Sequence, residues 1–125
     1  MSYLPLDRPS LTRLVHEFYG EVRADPVLGP VFDNAIGDHW DAHFVRLADF
    51  WATVMLGTRE FQGNVFGTHM QLKGVEPEHF RRWLDIFAGT VERLFEPAVA
   101  DEFLTVARRI AGSLQYGYFG KIEVQ

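Results

Sequence analysis

Apolar residues recur at a helical period along nearly the whole chain, and nothing in it alternates at the period of a strand. Leu11, Leu14, Val15, Phe18, Tyr19 and Val22 fall on one face of a first helix. Trp40, His43, Phe44, Leu47, Phe50, Trp51 and Val54 form the strongest stripe, with a histidine inside it. Phe80, Trp83, Leu84, Phe87, Val91 and Leu94 make a third, and Val99, Phe103, Val106, Ile110 and Leu114 a fourth. Alternating runs and hairpin dipeptides are missing. The expectation is an all-α protein with four main helices and short pieces between them. At 125 residues the chain suits one core, so 1–125 is read as a single domain.

Capping and breaking residues set the expected boundaries. Ser10, after Pro9, reads as the first N-cap. Asp25-Pro26 ends that helix, because Pro26 restricts the residue before it. The stretch from Asp25 to Gly37 carries two prolines and two glycines, and predicts a compact bend with no more than a helical turn. Asp38 is the expected cap of the second long helix and Gly57 its end. Residues 58–74 are poorly patterned and hold glycines at 63, 67 and 74, with room for one short helix around Val65 to Leu72 capped by Asn64. Pro77 suits a first helical turn, Pro97 a break, and a last helix is expected from Ala98 to Tyr118.

Composition narrows the function classes. Aromatic content is 14%, including 11 Phe, which predicts a wide interior or a flat apolar ligand. The net charge of -5, without a basic cluster, argues against a nucleic-acid partner. Zero cysteines remove disulfides and thiolate metal sites. The start, MSYLPLDRPS, lacks the charged and apolar regions of a signal peptide, and no run is long enough to span a membrane. A soluble, cytoplasmic protein is expected. P-loops, dinucleotide fingerprints and serine-nucleophile arrangements are absent. Asp101 and Glu102 read as acidic residues in a first helical turn.

Five histidines remain. His16 falls off its helix's apolar stripe and reads as a surface residue, and His79, just after Pro77, as a local hydrogen-bonding or surface one. His39 and His43 are spaced to share a metal from one helix face, but Trp40 stands where the zincin motif needs Glu, and no third ligand is evident. His43 is expected to point inward. His69 lies in the glycine-rich stretch, where a lone histidine is ordinarily a loop residue. Against that stand the glycines, which allow close approach to a ligand, the aromatic surplus, and the second inward imidazole at His43. Tyr19, His43 and Trp83 sit on the apolar faces of three different helices. Singly, each is more often a core residue with a satisfied polar tip; together they suit a bound polar diatomic molecule.

Four blocks then carry a family resemblance: FYGEVRADPVLGPVF (Phe18 to Phe32), HWDAHFVRLADFW (His39 to Trp51), GNVFGTHMQL (Gly63 to Leu72) and HFRRWLDIF (His79 to Phe87). In content and order the chain resembles the truncated (two-on-two) haemoglobins, group III. That resemblance implies a two-on-two helical sandwich around a haem b, held without covalent attachment since cysteine is absent. It implies that Tyr19 is the distal tyrosine, Phe32 the haem-stacking phenylalanine, His43 the distal-helix residue, and Leu47 the apolar residue one turn on. Arg46 matches a propionate partner, Phe50 and Trp51 the aromatic pair at the haem edge, His69 the proximal iron ligand, and Trp83 the distal-pocket tryptophan. Val65 departs from the pattern, which usually has proline four residues before the proximal histidine. The glycine pairs of groups I and II are missing, as group III implies.

The implied function is tight reversible binding of O2, NO or CO. Two alternatives stand beside it. One is a haem enzyme on the same scaffold, peroxidase-like or an NO dioxygenase, fed by an external reductase. The other is a haem-free all-α interaction module.

Overall fold

The computed structural model describes residues 3–57 and 76–119, and among these it contains five helices and no strand. They are α1 (Arg8–Ala24), α2 (Leu28–Ile36), α3 (Trp40–Leu56), α4 (Pro77–Leu94) and α5 (Pro97–Phe119). Helix α1 packs on α3, α4 packs on α5, and α1 also lies against α4, which joins the two pairs into a two-on-two sandwich. The short α2 packs on the end of α1 and touches α4.

Helix α1 starts earlier than its sequence suggests. Its N-cap is Asp7 and not Ser10. The Ser10 amide donates to Asp7 Oδ1 at 2.9 Å, while the Asp7 amide donates to Ser10 Oγ at 3.1 Å. This is a reciprocal capping box with serine in the N3 place, and Pro9 is harmless because first-turn amides have no helical partner. The buried face is Leu11, Leu14, Val15, Phe18, Tyr19 and Val22, as the spacing predicts.

The expected bend after Asp25 is a true nine-residue helix, α2. Both supposed breakers sit where they cost little. Pro30 is in the first turn. Gly29 is where α2 meets α1 so closely that an added Cβ would lie 2.5 Å from the Arg23 carbonyl oxygen. The helix is started by Asp25, whose Oδ1 accepts the amides of Val27 and Leu28 at 2.8 and 2.9 Å. Arg82 of α4 reaches the same carboxylate, with Nη2 2.8 Å from Oδ2. That guanidinium and the two amides hold the Asp25 carboxyl down at about 2.

Helix α3 begins at Trp40 with His39 at the cap, so Asp38 does not cap it. It ends at Gly57, whose φ of +72° is left-handed. Its fully buried residues are Trp40, Ala48, Trp51 and Ala52. Phe44, Leu47 and Phe50 are only half-buried, and Val54 is 40% exposed rather than inward. The alanines carry the contact because small side chains let helices approach closely. The same reason turns the face of α5. Its buried stripe is Ala100, Phe103, Leu104, Ala107, Ala111 and Leu114, with Val99, Val106 and Ile110 on the flanks. Helix α4 carries Pro77 in its first turn, and the Glu76 amide donates to His79 Nδ1 at 3.1 Å, a local role for that histidine.

Candidate functional site

Helices α1, α2, α3 and α4 each bring an aromatic side chain to one region. Tyr19, buried on α1, is its centre. The Phe32 ring of α2 meets it edge-on at 5.8 Å, and the His43 ring of α3 meets it at 5.8 Å and 81°. Trp40 lies 5.9 Å from both Tyr19 and His43, and Phe44 5.6 Å from Trp40. Edge-to-face contacts of this kind exploit the positive rim and negative face of aromatic rings.

Trp83 of α4 completes the group: its indole lies beside the Tyr19 hydroxyl and works against the rise that burial gives it. An indole N–H can only donate, so the Tyr19 oxygen faces it as an acceptor. The phenol keeps its own O–H to donate onward. Burial raises the Tyr19 hydroxyl to about 12, with the Trp83 indole opposing, so it stays a neutral donor at ordinary pH.

Behind these residues runs a stack of flat rings. Trp83 lies over Phe87 at 5.6 Å and 3°, and Phe87 over Trp51 of α3 at 5.3 Å and 15°. Trp51 also meets Phe103 of α5 at 5.2 Å, and Phe50 meets Trp51 at 5.2 Å. Phe18 fills the corner, 5.6 Å from Trp83 and 5.0 Å from Phe87.

The structure therefore brings together Tyr19, Phe32, His43 and Trp83 as one cluster, and joins Trp51 to Trp83 through Phe87. Leu47 and Phe50 lie half-buried on α3, and Arg46 is exposed on that helix. His69 and the short helix expected around it lie outside the described residues. His39 is exposed, and no group of three or more potential metal-ligating His, Asp or Glu side chains occurs among the described residues. His16 is exposed as expected, although its ring rests 4.4 Å from Phe44. Sequence reasoning put Trp40 and Phe44 on a stripe without assigning them to the cluster. The signal was there: Trp40 and Phe44 bracket His43 on one face of the helix.

The donor set fits a haem. Apolar side chains on α3 that its partners leave half-covered (Leu47, Phe50, Val54) lie along the same helix as His43. A flat apolar macrocycle would find apolar cover on that surface, with the polar tips of Tyr19 and His43 nearby.

No family model matches the chain. The group 3 truncated haemoglobin ctb of Campylobacter jejuni is 31% identical over 126 residues, covering 96% of this chain and 99% of that protein. The crystal structure of a group III truncated haemoglobin from Campylobacter jejuni superposes with a TM-score of 0.88 at 30% identity, covering 95% of this chain and 96% of that one. Fold and kinship together define a globin-type haem protein. This chain belongs to the group III truncated haemoglobins. Among the described residues no helix is long and apolar enough to cross a membrane.

Proposed function

We propose that the chain binds haem b, with His69 as the residue that would hold its iron, and that Tyr19, His43 and Trp83 would help it retain a small diatomic ligand, O2 foremost, tightly. The observation that carries this reading is the convergence of Tyr19, His43 and Trp83 from three helices, with the His43 ring 5.8 Å from Tyr19 and the Trp83 indole beside the Tyr19 hydroxyl. When bound, the haem supplies an iron able to take a diatomic ligand.

The protein's own residues do the rest. Phe32, Leu47, Phe50 and Trp51 offer apolar contact to the macrocycle, and Arg46 a charge for a propionate. Tyr19 donates a hydrogen bond to the ligand, and Trp83 acts in series behind it. A hydrogen bond to a ligand bearing partial negative charge is worth about 1.5–3 kcal/mol net. At about 1.4 kcal/mol per factor of ten, that slows release by roughly ten- to a hundredfold. His43 adds a second polar group beside Tyr19, able to gate access or to donate a hydrogen bond.

The direct test is to titrate hemin into haem-free protein. A Soret band at one equivalent, lost or altered in His69→Ala, is expected, followed by slow O2 release from the ferrous form. No Soret band with added hemin would overturn the proposal.

A further inference from the structure

Trp40 is clamped from outside the cluster it belongs to. Its indole N–H donates to Asp33 Oδ1 at 3.0 Å, and the Arg23 guanidinium lies 4.5 Å from the centre of its ring. Arg23 Nε donates to that same Oδ1 at 3.1 Å. The three side chains come from three helices: Arg23 in the last turn of α1, Asp33 on α2, and Trp40 as the first residue of α3. The connection between α2 and α3 is short, and His39 makes no side-chain capping bond there. The Asp33–Trp40 bond therefore ties down the first turn of α3. On its inner side the buried indole touches Tyr19, His43 and Phe44.

We infer that Asp33, Arg23 and Trp40 are positioning residues for the ligand-facing side chains. The clamp fixes the plane of the indole, and the indole fixes the rings of His43 and Tyr19. The inference rests on the reading of Tyr19 and His43 given above. An exposed Arg–Asp pair adds little by itself. A carboxylate holding an indole N–H, with a cation over that indole, is a stronger and more directional arrangement. Loosening it frees a large ring that is wedged against both donors, so the pocket feels the change more than global stability does.

The test uses the full chain with haem, with CO and O2 as probes, in four variants: Asp33→Ala, Asp33→Asn, Trp40→Phe and Tyr19→Phe. The C–O stretching band reports the polar field at the ligand, which a merely structural defect leaves in place. Asp33→Ala and Trp40→Phe are expected to shift that band and change O2 dissociation roughly two- to tenfold, the worth of one hydrogen bond. Asp33→Asn keeps an oxygen for the indole and recovers wild-type behaviour at least in part. In haem-free protein, the Trp40 Nε1–H resonance should lose protection from exchange in Asp33→Ala and regain it in Asp33→Asn. A wild-type band and rate in Asp33→Ala and Trp40→Phe, whatever their melting temperatures, overturns the clamp. Should Trp40→Phe not fold, the surface substitution Asp33→Ala decides alone. If Tyr19→Phe also leaves band and rate unmoved, the underlying reading fails; if it moves them while the clamp variants do not, only the clamp fails.

Discussion

Tyr19 is surrounded by rings, yet its hydroxyl has the Trp83 indole beside it, and that setting bears on what the side chain can do. Tyr19→Phe removes the donor and keeps the ring, so O2 dissociation from the haem-bound protein should rise roughly ten- to a hundredfold. Stopped-flow displacement of O2 by CO measures this, and an unchanged rate would remove Tyr19 from the ligand. The phenol is held at about 12. Its contribution to the off-rate should therefore be flat from pH 6 to pH 9, roughly, and any inflection in that window belongs to another group. Periodicity alone made Tyr19, His43 and Trp83 legible as inward polar-tipped residues. It could not show that Trp83 lies beside the Tyr19 hydroxyl, because that depends on how α1 and α4 dock. Asp33 and Trp40 were equally hidden. They are seven residues apart across a connection that reads as a loop, and no local pattern says that one accepts from the other.

Helix by helix, the sequence was most legible where large apolar residues alone set the buried face, as in α1 and α4. It failed at α2, where Gly29 and Pro30 were taken for breakers. Their positions explain them: proline in a first turn sacrifices no bond, and glycine permits an approach that a methyl group would block. Gly29→Ala should accordingly destabilise the fold by about 1–3 kcal/mol, since backbone must shift to admit the Cβ. Urea unfolding would read this, and a cost near zero would mean that the α1–α2 contact is slack. Alanines hid the true faces of α3 and α5, because hydrophobic patterning weights the bulky residues and helix approach rewards small ones. The Asp25 junction has a pH signature. Its folded carboxyl is held near 2 against an unfolded value near 4, so its contribution is complete above about pH 4 and is lost as pH falls toward 2. After allowance for solvent screening of the Arg82 pair it amounts to about 1–2 kcal/mol. Thermal melts of Asp25→Asn should show that loss already at pH 7 and a flatter decline below pH 4 than the parent protein.

At the scale of the molecule, the two helix pairs meet through aromatic rings. Phe87 is fully buried and touches Phe18, Trp51, Trp83 and Phe103. Phe87→Ala should cost about 3–5 kcal/mol and lower haem retention as well, because the stack behind the pocket collapses with it. Chemical denaturation with and without haem separates the two effects. A ligand that binds only the folded state also raises its apparent stability by mass action, so hemin should increase the melting temperature of the parent protein more than that of His69→Ala. The all-α class was readable from the spacing of apolar residues; the family, and with it the two-on-two sandwich, came from four blocks. His69 was singled out as the proposed iron ligand by resemblance, since its glycine-rich surroundings in the sequence carry no periodic signal. One property follows from where the tryptophans lie. All three indoles of the chain, Trp40, Trp51 and Trp83, belong to the ring assembly around Tyr19 and Phe87. The protein's entire tryptophan emission thus originates beside the proposed macrocycle, a strong acceptor of excited-state energy. Loading should darken the protein, and the decay of its fluorescence would count bound haem without any attached dye.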